Sequence, residues 1–376
     1  MRVLYGVVGE GMGHATRSRV VIGHLLEAGH EVKVVVSGRA HDFLSGKLGQ
    51  HPRLSIEEIH GLHFVYEGNE IDRSETLWSN LDQAPEGLRH NLRVYGAVLH
   101  SFDAEVVISD FESWAYFYGK AEDLPVISID NMQVINRCRH GPDITDRRGF
   151  DFRLTKLAVK AKLPNAYHYL ITSFFFPPVR KRRTTLLPPI LRPEILAARR
   201  EPGEHVLVYQ TAASNEALLP TLATLPYRFK VYGLGREGVR GNVELCAFSE
   251  TGFVDDLRTA RAVIAGGGFS LMGEAVHLHV PMLSVPLEDQ YEQELNARYL
   301  AKLGYGAWFR EIDADRIVSF LDHVDDYSEA LESYPGWDNA MVLTCVDELL
   351  RHVELHEPAP NSLASPSVGD SVLDVE

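Results

Sequence analysis

Residues 262–305 decide the fold and read AVIAGGGFSLMGEAVHLHVPMLSVPLEDQYEQELNARYLAKLGY. An apolar run meets three glycines, Gly266, Gly267 and Gly268, and a helical pattern opens at Ser270. A hydroxyl residue suits the first exposed position of a helix. The pattern predicts a strand, a tight turn and a helix N-terminus.

This turn suits a phosphate or diphosphate. Glycine lets a ligand approach the main chain, and the unpaired N–H groups and dipole of a helix N-terminus attract anions. Glu274, four positions into the helix, would repel an anion but accept hydrogen bonds from the vicinal hydroxyls of a ribose. We therefore expect Gly267, Gly268, Phe269 and Ser270 beside the diphosphate and Glu274 beside the ribose.

A second apolar run, Pro281 to Val285, predicts a buried parallel strand. The loop after this run brings Asp289, Gln290, Glu292 and Gln293 to the same edge of the sheet. So many hydrogen-bonding groups suit a polyol beside the diphosphate, and we expect Gln290, Glu292 and Gln293 to contact it.

The stretch resembles the donor-binding half of GT-B glycosyltransferases. This group holds the UDP-glucuronosyltransferases, the plant UDP-sugar transferases and the bacterial transferase that adds N-acetylglucosamine to lipid I. In that family a glycine turn opens a helix, an acid contacts the ribose, and an acid or glutamine followed by Gln contacts the donor sugar shortly before an Asn-Ala pair. Glu292 and Gln293 stand in that relation to Asn296 and Ala297.

The resemblance extends upstream, where Phe253 to Leu257 matches the base-binding segment and adds Val254 to the expected donor contacts. The chain departs from the family at two positions. Many relatives carry His at the place of Gly266 and Ser or Thr at the place of Leu271. Phosphate contacts would therefore rest on backbone N–H groups and on Ser270.

Composition excludes several classes of protein. A chain of 376 residues with 45% hydrophobic and 24% charged residues suggests two globular domains. The net charge of -15 argues against nucleic-acid binding. No apolar stretch reaches the roughly 18 residues that span a bilayer, and the first residues enter a strand without a signal-peptide profile, so we expect a cytoplasmic protein. Three widely spaced cysteines form neither a metal spacing nor a disulfide framework.

The first half opens with a strand at Arg2 to Val8, the turn GEGMGH at residues 9–14, a helical pattern and a strand at Glu31 to Val36. This βαβ unit breaks the dinucleotide fingerprint, because His14 replaces the last glycine and no acid closes the second strand. Alternating strands and helices in both halves predict two doubly wound parallel sheets, whose ligands gather at the carboxyl edges of the strands.

Further elements follow from periodicity. We predict a long helix over Thr76 to Phe102, interrupted near Pro85. The other predicted elements are strands at Glu105–Ser109, Val126–Ile129, Tyr167–Thr172, His205–Gln210, Phe229–Tyr232, Val243–Leu245, Ala262–Ala265 and Met282–Val285, and helices at Phe150–Leu163 and Trp337–His352.

The expected domains are an N-terminal acceptor-binding domain over 1–186, a proline-rich linker over 187–203 and a nucleotide-sugar-binding domain over 204–335. The resemblance implies that a helix within 336–355 packs back on the N-terminal domain, as the final helix of GT-B proteins does. Pro, Ser and Ala dominate 356–376, which predicts a disordered tail.

His14 is the candidate general base, because an imidazole titrates near neutral pH and can take a proton from an attacking hydroxyl. Its position resembles that of the histidine in the first loop of inverting GT-B transferases. The alternative is that His14 only caps the helix or bonds a carbonyl. Asp110 could orient the imidazole, as an acid does in several plant relatives, or could be the N-cap of the next helix.

Other residues at the same edge could contact the acceptor or the diphosphate. They are Gly11, Gly13, Thr16, Arg17, Asp130 and Asn131. For Asp130 and Asn131 a plain turn is the competing explanation. The resemblance implies neither a metal nor another cofactor. Asp313 and Asp315 imitate an Asp-x-Asp metal motif, but a helix start explains them.

A basic segment interrupts this acidic chain. From Arg137 to Arg200 there are fifteen Arg and Lys against four acids. The aromatic run Phe174 to Phe176 precedes the basic run Arg180 to Arg183. The pair could dock on an anionic membrane or receive a lipid-linked acceptor. The sequence slightly favours a buried aromatic strand end beside solvated charges.

The resemblance implies an inverting, metal-independent hexosyltransferase that moves a sugar from a nucleotide-diphosphate donor, preferably a UDP-sugar, to a hydroxyl of a lipid-linked or small-molecule acceptor. One alternative is a UDP-sugar 2-epimerase of the same fold, which would need further acid/base carboxylates near the donor. Another is a non-catalytic nucleotide-sugar-binding protein, since Gly266 and Leu271 depart from common family choices.

Overall fold

The computed structural model describes residues 1–9, 11–49, 51–60, 65–67, 70–210, 218–247, 249–364 and 366. Within them, the chain forms two seven-stranded sheets with helices packed on them. We call the elements up to Leu187 the N-terminal lobe and those from His205 to Leu331 the C-terminal lobe. Of the tail predicted to be disordered, residues 356–364 lie against the N-terminal lobe, where the backbone N–H of Leu363 donates to the Thr185 hydroxyl, and residues 365 and 367–376 lie outside the described residues.

The N-terminal lobe contains, in chain order, β1 (Arg2–Val7), α1 (Met12–Glu27), β2 (Glu31–Val36), α2 (Arg39–Leu48), β3 (Leu54–Glu58), β4 (Val65–Glu67), β5 (Glu70–Asp72), α3 (Arg73–Ser101), β6 (Val106–Asp110), α4 (Ser113–Ala121), β7 (Val126–Asp130), α5 (Gln133–Arg137), α6 (Phe150–Lys162), β8 (His168–Thr172) and β9 (Thr184–Leu187). Its sheet has the order β3-β2-β1-β6-β7-β8-β9, and all neighbours are parallel. Strands β4 and β5 form a separate antiparallel pair.

The connection between the lobes carries α7 (Pro193–Leu196). The C-terminal lobe contains β10 (His205–Tyr209), α8 (Leu218–Ala223), β11 (Arg228–Tyr232), β12 (Gly238–Arg240), β13 (Val243–Leu245), α9 (Glu250–Thr259), β14 (Ala262–Ala265), α10 (Phe269–His277), β15 (Met282–Ser284), α11 (Tyr291–Lys302), β16 (Gly306–Trp308), α12 (Ala314–Leu321) and α13 (Val324–Leu331). Its sheet has the order β12-β13-β11-β10-β14-β15-β16, and only β12 is antiparallel to its described neighbour.

The sheet register brings loops together at one edge of each lobe. In the N-terminal lobe Val7 pairs with Asp110, so the ends of β1 and β6 lie side by side. In the C-terminal lobe Ala265 pairs with Ser284, so the glycine turn lies beside the loop after β15. The central strands are apolar and buried on both faces, as expected of parallel strands covered by helices. The polar side chains that follow these strands, such as Asp110 after the apolar part of β6, therefore gather at the strand ends.

The final helix, α14 (Ala340–Glu354), follows the C-terminal lobe in sequence but packs on the N-terminal sheet. Its buried side chains share one apolar cluster with residues of β1, β2 and α1. They are Val342, Cys345, Val346, Leu349, Leu350 and Val353. This spacing forms the single apolar stripe of an amphipathic helix. The last helix thus ties the two lobes together.

Two local predictions can be compared directly with the structure. The predicted interruption of the long helix near Pro85 is wrong, because α3 runs from Arg73 to Ser101. Proline removes one backbone donor, yet the segment is helical on both sides of it. Asp313 is the N-cap of α12 and accepts a hydrogen bond of 2.8 Å from the backbone N–H of Arg316, as predicted.

Within the described part of the chain, no helix combines the length and the apolar character that crossing a bilayer demands.

Candidate active site between the lobes

Two helix N-termini meet between the lobes. Helix α1 begins at Met12 after Gly11, whose φ of 85° favours glycine, and α10 begins at Phe269. A methyl group built on Gly13 would lie 2.4 Å from Oγ of Ser270, so the first turns of the helices are in contact. Because each helix N-terminus carries a partial positive charge, this junction favours an anion.

The glycine turn before α10 is fixed by α11. The N–H of Gly267 donates a 3.1 Å hydrogen bond to Oε1 of Gln293, and its carbonyl accepts one of 3.1 Å from Asn296. A side chain at Gly267 would collide with the backbone of Gln293, 2.3 Å away. Glycine is thus required here by close packing. The N–H of Gly267 is already bonded, so the predicted phosphate contacts fall to the residues after it.

The N–H groups that follow are suited to that role. Among the described residues no side chain caps α10, and the N-cap position is Gly268. The first N–H groups of a helix have no partner within the helix. A Cβ built on Gly268 meets no described atom within 4 Å, so a ligand can approach the main chain there. Gly268, Phe269 and Ser270 therefore present the backbone expected of an anion site.

On the opposite lobe, His14, Arg17 and Asp110 form one cluster. The carboxylate of Asp110 is fully buried, and its Oδ1 lies 2.8 Å from Nδ1 of His14. Arg17 donates to both carboxylate oxygens, at 2.8 Å from Nε and 2.5 Å from Nη2. Ser18 adds a hydrogen bond of 2.9 Å from its hydroxyl. Arg17 and Ser18 thus supply three donors to the acid, and His14 is its fourth hydrogen-bonding neighbour.

The charges of this cluster are set by burial and by pairing. Burial lowers the pKa of His14, Arg17 lowers it further, and Asp110 opposes both. Burial would raise the pKa of Asp110, but Arg17 and His14 outweigh it and hold that pKa well below its usual range. At neutral pH the imidazole is therefore neutral and the carboxylate is ionised.

Nδ1 of His14 has two neighbours that require different tautomers. It can donate to Asp110, or it can accept from Nη2 of Arg17, which lies 2.7 Å away. In the first arrangement Nε2 has a free lone pair and can accept a proton. In the second arrangement Nε2 carries the hydrogen and cannot act as a base.

The alternative that Asp110 caps α4 is wrong. The N-cap of that helix is Glu112, whose carboxylate accepts bonds of 2.8 and 2.6 Å from the backbone N–H groups of Trp114 and Ala115. Asp110 is left free to pair with α1.

Glu274 lies buried in the C-terminal lobe and forms an ion pair of 2.8 Å with Arg192. Burial raises the pKa of this carboxyl, and Arg192 opposes the shift. The bond uses Oε2 of the glutamate. The predicted ribose contact would thus come from a carboxylate that an arginine of the inter-lobe connection already orients.

Glu292 joins the lobes. Its Oε1 accepts hydrogen bonds of 2.7 Å from Asn131 of the N-terminal lobe and 2.6 Å from Asn296. Burial raises the pKa of this carboxyl, and the two amides oppose that shift. Gln293 bonds Gly267 and Leu287 through Oε1 and donates to Oε1 of Gln290. The structure thus brings Asn131, Gln290, Glu292 and Gln293 to the crevice that holds the glycine turn.

Four predicted site residues have their side chains turned to structural partners. Thr16 donates to the carbonyl of Met12 at 2.9 Å. Arg17 is buried against Asp110 instead of facing a ligand. Asp130 accepts from Ser128 and from the backbone N–H of Gln133, which fits the turn explanation. Val254 is 6% exposed and packs in the apolar core.

Sequence reasoning missed the structural roles of Ser18 and Arg192. Ser18 and Arg17 lie four and three positions after His14, so helical spacing could have placed all three on one face. Arg192 lies 82 positions from its partner Glu274 and precedes a proline. No local signal predicts that pair.

The aromatic run before the basic residues is buried. Phe174 and Phe175 are 1% and 2% exposed, and Phe175 stacks on Tyr299 of the C-terminal lobe with ring centroids 3.9 Å apart. These two side chains form part of the contact between the lobes. Their burial agrees with the interpretation of the run as a buried aromatic strand end.

Comparisons with known proteins show the family of the chain. A family model described as glycosyl transferase family 1 matches residues 1–325. An uncharacterized glycosyltransferase of Methanosarcina acetivorans is 26% identical over 343 residues, which cover 81% of this chain and 85% of the relative.

Two similar solved structures share the fold at low identity. One is Phytolacca americana UGT2 complexed with UDP-2fluoro-glucose and pterostilbene, with a TM-score of 0.64, 14% identity, and 94% of this chain and 100% of that chain covered. The other is spinosyn rhamnosyltransferase SpnG complexed with thymidine diphosphate, with a TM-score of 0.58, 17% identity and the same coverage of 94% and 100%. With two parallel-dominated α/β lobes and a family match over most of its length, the chain belongs to glycosyl transferase family 1 and has the GT-B fold.

Proposed function

We propose that the protein transfers a sugar, with inversion at the anomeric carbon, from a nucleotide-diphosphate donor to an acceptor hydroxyl. The observation that carries the proposal is the meeting of two helix N-termini beside the His14–Asp110 pair. The junction suits a diphosphate and the imidazole suits a hydroxyl. A transferase needs both in one crevice, because the acceptor must attack while the diphosphate leaves.

His14 acts as the base. Its Nδ1–H donates to Asp110, and Nε2 takes the proton of the acceptor hydroxyl. The hydroxyl oxygen forms a bond to the anomeric carbon on the face opposite the leaving group, which inverts the configuration. The bond from that carbon to the diphosphate oxygen breaks, and the nucleoside diphosphate leaves with the electron pair.

The leaving diphosphate gains negative charge as its bond breaks. Backbone N–H groups at the start of α10 and the dipoles of α1 and α10 stabilise that charge. In this proposal a metal ion is not needed for the step. Glu274 accepts hydrogen bonds from the ribose, and Gln290, Glu292 and Gln293 contact the donor sugar. Because buried hydrogen-bonding side chains are left unpaired by a ligand without hydroxyls, these residues favour a sugar over a less hydroxylated ligand.

A UDP-sugar is our preferred donor, since UGT2 was solved with UDP-2fluoro-glucose. The complex of SpnG with thymidine diphosphate makes a thymidine donor the competing choice. The acceptor is a lipid-linked or small molecule that carries a hydroxyl. We also propose a cytoplasmic location, because the three cysteines are free thiols.

The test is incubation of the purified protein with a panel of UDP- and TDP-sugars. We expect one donor to be hydrolysed slowly to its nucleoside diphosphate without an acceptor, and the same donor to react faster when a suitable hydroxyl compound is added. Conversion of the sugar to its 2-epimer would reject the transferase in favour of an epimerase. Binding of the whole panel without turnover would favour a sensor.

A further inference from the structure

A second cavity lies in the N-terminal lobe, away from the crevice. Its volume is about 590 Å³, within the usual range for small-molecule sites. Five cations line it: Arg137, Lys160, Lys181, Arg182 and Arg183. Among the described residues that line the cavity, none is Asp or Glu.

Three of these cations donate hydrogen bonds to neutral groups, and in the described part of the chain none of the five forms an ion pair. Arg137 donates to the Thr184 hydroxyl at 2.7 Å, and Lys181 to the Asn136 amide oxygen at 2.5 Å. Arg182 donates to the Asn361 amide oxygen at 2.8 Å. Five positive charges thus share one cavity of a protein whose net charge is -15.

Burial and mutual repulsion disfavour the charged forms of two of these cations, Arg137 and Lys181, in the absence of an anion. Arg137 is 7% exposed and lies over the ring of Tyr169, 3.6 Å from its centroid. Burial, followed by the charges of Arg137 and Arg180, lowers the pKa of Lys181 to about 8. An anion bound between Arg137 and Lys181 would offset the cost of burying the first and would raise the lowered pKa of the second.

The cavity is separate from the crevice. Arg183 immediately precedes β9, and Tyr169 is the second residue of β8, so the cavity lies where these strands begin. His14 and Asp110 lie where β1 and β6 end. In a parallel sheet these are opposite edges.

We propose that this cavity is a second binding site, for the phosphate group of a small phosphorylated ligand with at least two negative charges. Arginine binds phosphate oxygens in pairs, and lysine adds point charges. The amides of Asn165 and Asn361, which also line the cavity, can bond hydroxyls of the same ligand. The chemistry is shared by soluble phosphate esters and by lipid headgroups, and we favour the soluble ligand because the aromatic run nearby is buried.

Calorimetric titration with inorganic pyrophosphate, with the crevice saturated by UDP, tests the site. The variant Lys160→Gln, Lys181→Gln and Arg183→Gln removes three of the cations. We expect at least about tenfold weaker pyrophosphate binding, since charge-assisted hydrogen bonds are lost, and unchanged affinity for UDP. The matched control removes three exposed cations of the C-terminal lobe, Arg228→Gln, Arg236→Gln and Arg240→Gln, and should bind pyrophosphate like the wild type.

Equal pyrophosphate affinity in both triple variants, or no binding by the wild type, overturns the proposal. Flotation with phosphatidylcholine vesicles, with or without phosphatidic acid, distinguishes a lipid headgroup from a soluble phosphate ester as the ligand. If the wild type binds pyrophosphate, vesicle recovery that needs phosphatidic acid and the three cations identifies a lipid headgroup as the ligand. Pyrophosphate binding without vesicle recovery identifies a soluble ligand. If the cavity variant fails to fold, an anomalous tungstate peak beside Lys181 in wild-type crystals supports the site, and its absence overturns it.

Discussion

The chemistry assigned to His14 depends on its partner, and another pair on the same helix allows a controlled test. His14 pairs with Asp110 at 2.8 Å, and His24 of α1 pairs with Asp347 at the same distance. We expect His14→Ala to lower kcat by about 10²- to 10⁴-fold, the usual contribution of a general base, with UDP affinity unchanged. Steady-state kinetics and calorimetry measure the two. His24→Ala should change neither, and equal activity of both variants would refute the assignment.

The pH dependence of transfer should report the lowered pKa of His14. A base must be neutral to accept a proton, so kcat/KM falls as the pH drops through that pKa. Burial and Arg17 lower the pKa of His14 from its ordinary 6.5, so the acid limb should have its midpoint below 6.5. A midpoint at or above 6.5 contradicts this account.

Asp130 needs a control, because burial raises the pKa of its carboxyl to about 6. Protonation of Asp130 could therefore also make kcat/KM fall as the pH drops. Asp130→Asn removes this second group but leaves His14 and Asp110 in place. The acid limb should persist in that variant. Its disappearance would assign the limb to Asp130.

At the residue scale, the sequence predicted the members of the site better than their partners. His14 and Asp110 were found because both follow strands that end at one edge. The bond from Gly267 to Gln293 needs the packing of the glycine turn on α11, which no spacing reveals. The pairing of Glu274 depends on a residue of the inter-lobe connection. Long-range pairs of this kind require the folded chain.

Among the elements, the contact of α1 with α10 gives a sharp prediction. Alanine is a better helix former than glycine, so Gly13→Ala favours α1 locally. Its methyl group would nevertheless collide with Ser270 and push the helices apart. We expect kcat/KM to fall by about 10- to 100-fold, since a displacement of 1 Å can cost about 10²-fold.

Two further variants test whether the collision of the new methyl group with Ser270 causes the loss of activity. Gly23→Ala lies in the same helix, where a new Cβ meets no described atom within 4 Å, and it should leave activity unchanged. Gly13→Ala combined with Ser270→Gly should be as active as Ser270→Gly alone, because the collision is gone. If Gly13→Ala were as active as the wild type, the helices would not need to meet during catalysis.

Helix α14 should contribute to the stability of the N-terminal lobe. Leu349 is fully buried against that lobe, whereas Thr344 of the same helix is exposed. We expect Leu349→Ala to lower the free energy of unfolding by about 2–5 kcal/mol, the usual cost of a cavity. Thr344→Ala should change it by less than about 0.5 kcal/mol. Urea titration measures both, and similar values would show that α14 is not packed as described.

Periodicity located most strands and helices, but it failed where local signals competed. The strand Thr184–Leu187 was missed because prolines and charges surround it, although it forms the edge of the sheet. Both Asp110 and Glu112 precede α4, and sequence alone could not decide which acid caps it. The proline of α3 was given too much weight.

The whole molecule is two lobes joined by contacts on several sides of the crevice. Arg19 of α1 bonds Glu194 of the connection at 2.8 Å and lies 3.9 Å from Glu250 of the C-terminal lobe. Asn131 bonds Glu292 across the crevice. The sequence predicted two lobes from alternating strands and helices. It did not predict these contacts, because they join residues far apart in the chain.

The central claim is that the N–H groups at the start of α10 hold a diphosphate facing His14. A crystal structure with UDP or thymidine diphosphate bound measures this directly. We expect an oxygen of the β-phosphate within hydrogen-bond distance of the backbone nitrogen of Phe269 or Ser270, on the side that faces the imidazole. A nucleotide bound elsewhere, with its phosphates remote from both helix N-termini, would contradict the account.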